Sequence, residues 1–436
     1  MTSSQKDVIV AEQWLVLSKI GEGSFGEVFK AKDINLGRLY AVKRESLDLE
    51  HPQLRHESKI YDILAGGRKK PCIPKCHWYG QHDGFDCIVI DLLGSNLKQF
   101  QQITRTMPLD LIIDFGCQLV ACLEHIHDKG IVYRDVKPEN FLFEASCVLP
   151  DLSYTNNSPP PSPPTTTCND ILDNTRLYAV DFGLATWWRN PHTMKPYAEC
   201  KKPIKYKTGT ARYASLNIHR GRTHARRDDM ESLGYLLLDL LLNGDLPWSG
   251  ITARSTKVGW DRLKAIKEDM SLQDMCAGLP CGIMNFIDYT RRLRFADRPD
   301  YDHLKTLLIG CNQPGPFSKL VTASHNTRPI PSPAKYYQQQ NYHLKRNSSH
   351  HMHKMNYLDP SPAEDGVFVM DDLAKELPSF TKKQNNSTYY RNNNRSSSNS
   401  SNRHYHYGHK KHYGSKVGWN THKNYTSAIE KTLQTP

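Results

Sequence analysis

Residues 14–93 place their apolar side chains in short runs, and four of these read as β-strands: WLVLSKI, EVFKAK, LYAVKR and CIVIDLL. Among them, QLRHESKIYDIL spaces its apolar positions for one helix. The period then lengthens. Over residues 109–127, Ile112, Leu119, Leu123 and Ile126 recur at helical spacing. DDMESLGYLLLDLLLNG is apolar on nearly every face, the mark of a helix enclosed by a larger domain, and helical patterning continues to Leu308. The expectation is an α+β chain: an extension at 1–13, a small β-rich lobe at 14–93 and a larger helical lobe at 94–312.

Two stretches break the pattern. Residues 144–177 contain NNSPPPSPPTTT, a Pro/Ser/Thr tract that cannot offset its ordering entropy by burial, and they read as an inserted surface loop. Residues 313–436 are rich in Asn, Ser, His, Tyr and Lys and predict a disordered tail, with one short ordered patch at GVFVMDDLAKEL. Charge separates along the same line. Of the formal +12, the tail carries +10, from 17 Lys+Arg against 7 Asp+Glu, so residues 1–312 are almost neutral. The tail's basic and aromatic residues suit phosphates and bases, but no folded RNA-binding motif accompanies them, and no stable nucleic-acid partner is expected. No apolar run has the length of a signal peptide or membrane span. Eleven scattered Cys then read as reduced thiols of a cytoplasmic or nuclear protein, and Cys72 with Cys76 lacks the second pair that structural zinc requires.

The candidate chemistry is concentrated between the first strand and residue 183. Gly21, Gly23, Ser24, Phe25 and Gly26 form a GxGxxG turn between two strands, a backbone able to close over polyphosphate. Val28 and Ala41 follow, then Lys43, placed to pair the α- and β-phosphates, with Glu57 on the next helix to fix it. A strand after the glycines, not a helix, separates this order from a dinucleotide-binding fold. In YRDVKPENF, Asp135 is the candidate for accepting or orienting a substrate hydroxyl, and Lys137 for neutralising the transferred phosphoryl group. Asn140 and Asp181, the latter opening an Asp-Phe-Gly, are the candidate Mg²⁺ ligands. A binding module built on the same fold would be marked by loss of Lys43, Asp135, Asn140 or Asp181, and all four are present.

The chain resembles the casein kinase 1 family of eukaryotic Ser/Thr protein kinases. The resemblance rests on HPQLRHESKIYDILAGG, IDLLGSNL, YRDVKPENFL, KTGTARYASLN and RRDDMESLGYLLLDLLLNGDLPWSG, and it covers about residues 14–310. KTGTARYASLN is its most specific mark, with Ser215-Leu-Asn217 where most protein kinases carry Ala-Pro-Glu. It implies a bilobal protein-kinase fold, use of ATP and Mg²⁺, and transfer to Ser/Thr of protein substrates with an acidic or phosphorylated residue at n−3. It further implies an adenine-holding hinge around Ile90, Asp91 and Leu93, a catalytic loop anchored by Asp229, and a substrate anion site at Arg212 and Lys205. Tyr133, in the usual His position, is expected to pack on Phe182. Thr186 and Thr252 replace lysines common in the family, which weakens the expected preference for phosphate over plain acid. No Cys follows Cys311, so no lipid anchor is expected, and the protein is expected to act as a monomer.

Overall fold

The computed structural model describes residues 7–23, 26–66, 72–104, 106–146, 176–204, 207–312 and 368–369. Six antiparallel strands open the chain: β1 (Ile9–Val10), β2 (Trp14–Gly23), β3 (Gly26–Asp33), β4 (Leu39–Ser46), β5 (Cys76–His82) and β6 (Phe85–Asp91). Their order in the sheet is β1-β2-β3-β4-β6-β5, and helix α1 (Leu54–Ala65) lies between β4 and β5 in sequence. The apolar runs of β4 and β6 serve two faces, because successive side chains of a strand point oppositely. Ala41, Ile88 and Ile90 join Leu54, Ile60, Tyr61 and Leu64 of α1 in the main core. Their neighbours Val42, Cys87 and Val89 pack with Val10, Trp14 and Ala31 in a second, smaller core. The pattern did not foretell β1 or β5; β5 (CHWYGQH) is only half-buried and intersperses polar residues.

A β-rich N-terminal region thus precedes a helical C-terminal one. After β7 (Leu93–Asn96) and α2 (Leu97–Thr104), helix α3 (Leu109–Asp128) leads into β8 (Ile131–Val132), a 3-10 turn at Pro138–Asn140, β9 (Phe141–Glu144), β10 (Leu177–Ala179) and β11 (Thr186–Trp187). Then come α4 (Leu216–His219), α5 (Arg226–Leu241), β12 (Thr252–Ala253), α6 (Thr256–Asp269), α7 (Leu272–Met275), α8 (Cys281–Arg292) and α9 (Tyr301–Ile309). Helix α5 is the one expected to be enclosed: every residue from Arg226 to Leu240 is buried, and α3 and α8 pack against it. No described helix is long and apolar enough to cross a membrane.

The inserted tract leaves and re-enters through a β-hairpin stem in which Leu177 pairs with Phe143 and Ala179 with Phe141. The expected bounds of 144–177 therefore need trimming: Glu144 and Leu177 belong to the stem, since Phe143 and Leu177 are both buried in the main core. The Pro/Ser/Thr tract itself lies outside the described residues. So do the tail expectations, apart from β13 (Phe368–Val369), which falls in the GVFVMDDLAKEL patch and pairs antiparallel with β12, Thr252 opposite Val369. The chain divides into units Met1–Ser379 and Phe380–Pro436, and the second contains no described residue.

Candidate active site

The cleft-facing chemistry begins on β4. Lys43 extends from that strand, opposite Val28 of β3, and its ammonium donates to Glu57 Oε2 of α1 at 2.6 Å and to Asp181 Oδ1 at 2.9 Å. Burial opposes the charge on Lys43, but Asp181 and Glu57 outweigh it and hold the group above the ordinary lysine range. Burial pushes Glu57 up to about 7, against the pull of Lys43, because it shares that one ammonium with Asp181. For Asp181 burial also favours the neutral acid, yet Lys43 and Lys137 prevail and its carboxyl stays below the usual range. Asp181 occupies the left-handed region at φ 62°, a costly conformation for a residue with a Cβ. The next residue, Phe182, is fully buried and wedged edge-on between Tyr61 at 5.1 Å and Tyr133 at 5.2 Å, which fixes the turn.

Asp135 receives donors on both oxygens. Lys137 Nζ reaches Oδ2 at 2.6 Å and Asn140 Nδ2 the same oxygen at 3.1 Å, while the Thr210 N–H and hydroxyl donate to Oδ1 at 3.1 and 2.8 Å. Gly209 makes the approach of Thr210 possible: its φ is +91°, and a Cβ there would stand 2.4 Å from the Arg134 carbonyl oxygen. Behind the loop lies Asp229 of α5, fully enclosed. It accepts from the N–H groups of Tyr133 (2.7 Å) and Arg134 (2.8 Å) and contacts His127 Nε2 (2.9 Å) and His224 Nε2 (3.0 Å). Arg134 is itself at φ 75°, so this carboxylate holds a strained backbone one residue before Asp135. Tyr133 packs edge-on against Phe182 as expected and also donates its hydroxyl to the Val180 carbonyl at 2.6 Å.

The other sequence candidates distribute as follows. Gly21 pairs with Val28 and Gly23 with Gly26 across the β2–β3 hairpin, while Ser24 and Phe25 lie outside the described residues. Gly26 passes so close to Arg44 that a Cβ would meet its carbonyl oxygen. Ala41 is buried in the main core. Asp91 ends β6 and Leu93 begins β7, the connection between the two regions. The Asp91 carboxylate is committed to His77 Nε2 and the Lys75 N–H, both at 2.7 Å, so its backbone is what it can offer a ligand. The expectation for Arg212 requires correction. Its side chain is buried, donating to Asp239 Oδ1 at 2.7 Å and to the Gly244 carbonyl at 2.5 Å, which makes it an internal tie and not an open anion site. Lys205 lies outside the described residues.

A cationic recess does open beside Asp135, lined by Arg134, Lys207, Arg222 and His224 with Ile204, Thr208, Ile218 and Gly221. No carboxylate is among these lining residues, and Arg134 Nε is buried without a hydrogen-bond partner among the described residues. The motifs did not single out Lys207, Arg222 or His224; Lys207 opens KTGTARYASLN, and the basic composition of HRGRTHARR was the available signal for the other two.

The residues also fit a divalent cation. Asp181 is held ionised, and Asn140 commits its amide nitrogen to Asp135, so a carboxylate and an amide oxygen remain as hard oxygen donors suited to Mg²⁺. When bound, such an ion would neutralise phosphate charge. With this geometry in view, a family model for the protein kinase domain matches residues 14–276. The chain belongs to the protein kinase family: it is a phosphotransferase that uses ATP, with Asp135, Lys137, Asn140, Lys43, Glu57 and Asp181 gathered in one cleft.

Proposed function

We propose that the protein is a Ser/Thr protein kinase of casein kinase 1 type, selecting acceptors that carry an acidic or already phosphorylated residue shortly before the target hydroxyl. Asp135 orients the hydroxyl, and its contacts with Lys137, Asn140 and Thr210 place its two oxygens before transfer begins. Lys43, fixed by Glu57, holds the nucleotide phosphates, while Asp181 and Asn140 would hold Mg²⁺. Lys137 follows the charge onto the transferred group. The observation that carries the substrate preference is the recess in which Arg134, Lys207 and Arg222 concentrate positive charge beside Asp135, in a region otherwise almost neutral. A phosphate or carboxylate on the substrate supplies a counter-charge stronger than the exposed Asp261 that Lys207 reaches at 3.4 Å.

The test is a peptide series with Ser as acceptor and phospho-Ser, Asp, Ala or Arg three positions before it, assayed with wild type and Arg222→Ala. The phospho-Ser peptide should exceed the Ala peptide in kcat/KM by about tenfold, the equivalent of about 1.4 kcal/mol. Arg222→Ala should reduce that preference to threefold or less without altering KM for ATP. A preference for Arg, or an unchanged phospho-preference in the variant, refutes the reading.

A further inference from the structure

Lys267 of α6 is fully buried, and its ammonium finds no carboxylate within hydrogen-bond distance among the described residues. It donates instead to three backbone carbonyls, Ala211 at 3.2 Å, Arg212 at 2.9 Å and Ala214 at 2.8 Å, and lies 3.3 Å from His219 Nε2. The faces of Tyr235 and Trp248 stand 4.6 and 4.7 Å away. An ammonium so far from water is costly to keep, and burial drives its proton affinity well below that of an ordinary lysine. A Met or Leu of similar volume would fill the space without that cost.

What the cation satisfies is a segment without regular structure. Residues 211–214 belong to neither helix nor strand, so their carbonyls have no ladder to join, and three ammonium protons meet three of them. The same segment is tied at both ends. Thr210 donates twice to Asp135, while Ser215 Oγ donates to Asp228 and the Leu216 N–H to Glu231. Trp248 Nε1 adds a second donor to the Arg212 carbonyl, at 2.9 Å.

We propose that Lys267 is a positioning residue for phosphoryl transfer: by gathering the carbonyls of Ala211, Arg212 and Ala214 it holds Thr210 against Asp135 and shapes the surface on which the acceptor peptide lies. The proposal rests on the protein-kinase reading but not on any particular substrate preference. It acts on the peptide side of the cleft, since the Lys43–Glu57–Asp181 contacts do not involve this segment.

The test is Lys267→Met in the full chain, assayed with whichever acceptor peptide the wild type uses best, so a wrong substrate preference does not affect the outcome. The expected result is a nucleotide Kd within twofold of wild type, a peptide kcat/KM at least tenfold lower, and faster amide exchange at residues 211–216 while α5 stays protected. A folded variant with peptide kcat/KM within threefold of wild type overturns the proposal, as does an equal loss of nucleotide and peptide affinity. Trp248→Phe keeps the ring over the ammonium and removes only the donor to Arg212. It should raise peptide KM two- to fivefold with ATP KM unchanged. Should Lys267→Met fail to fold, an unaltered peptide KM in Trp248→Phe overturns the proposal on its own.

Discussion

Replacing Asp229 with Asn isolates the charge that anchors the catalytic loop. The carboxylate meets four nitrogens, from Tyr133, Arg134, His127 and His224, at 2.7–3.0 Å. Burial alone would raise its pKa, but His127 and His224 bring it well below the usual carboxylate range, so the native group is an anion. An amide of the same shape has one accepting oxygen and turns two N–H donors toward nitrogens that already donate. At least one buried N–H then loses its partner, at about 1–3 kcal/mol, and the charge-assisted bonds are lost besides. A total near 3–5 kcal/mol is consistent with removing one partner of a buried ionic cluster, and Tm should fall on the order of 10 °C.

The kinetic consequence is more specific. Arg134 sits at φ 75°, a conformation costing about 1–3 kcal/mol that its N–H bond to Asp229 helps maintain. Released, it relaxes and carries Asp135 with it, and a displacement near 1 Å at a reacting group costs about a hundredfold in rate. The assay is steady-state transfer at saturating ATP and peptide, with nucleotide Kd measured separately and expected within twofold of wild type. Asp228→Asn is the control, because Asp228 binds Ser215 Oγ and the Ala225 N–H, outside the catalytic loop. It should lower Tm while preserving much more of kcat. If Asp229→Asn keeps kcat within threefold of wild type, the anchoring argument fails.

Two further outcomes follow from the same network. Tyr133→Phe keeps the ring on Phe182 but orphans the Val180 carbonyl, so stability should fall by about 1–2 kcal/mol with kcat within threefold; a larger kinetic loss would give the hydroxyl a role in transfer. Burial holds His127 and His219 below the ordinary histidine range, so both are neutral when folded and take up protons when unfolded near pH 6.5. Their contribution is complete above that pH and is lost as pH falls below it toward the folded values, whereas that of the ionised Asp229 is complete above about pH 5 and is lost progressively as pH falls through the ordinary carboxylate range toward its lower folded value. Tm should therefore start to fall between about pH 6.5 and 5, with a shallower slope in His127→Gln, and a flat Tm over that range refutes the assignment.

Much of this site is legible in sequence because phosphoryl transfer needs these residue types together and they follow one another in the order of the kinase motifs, even when far apart. Lys43 and Asp181 are 138 positions apart, yet motif order alone marked both as site residues; their direct contact, like that of Asp135 and Thr210 across 75 positions, emerges only in the fold. The strands and helices of the core were legible for a different reason: CIVI must alternate faces, and α5 must be apolar all round to be enclosed. Half-buried β5 gave no such signal. Nor does local pattern say which cation is inside. In KAIKED, Lys267 reads as one of several solvated charges; only the fold brings three carbonyls of a distant loop to it.

Arg212 and Lys207 show the same limit from opposite sides. Five residues apart, they were separable only by their surroundings. Asp239 on α5 draws Arg212 inward, and once that pair forms the guanidinium is withdrawn from the surface. Lys207 reaches Asp261 only at 3.4 Å, on an exposed carboxylate, and remains in the lining of the recess with Arg222 and His224. An exposed pair of that kind is worth little and yields readily to a stronger anion, whereas breaking the Arg212–Asp239 pair would strand a buried charge. Beneath residues 210–216 the buried cations Arg212 and Lys267 fix the segment, and beside it the accessible ones are left to meet a substrate. Substitution of the first set should therefore act through the geometry of transfer, and of the second through the choice of peptide.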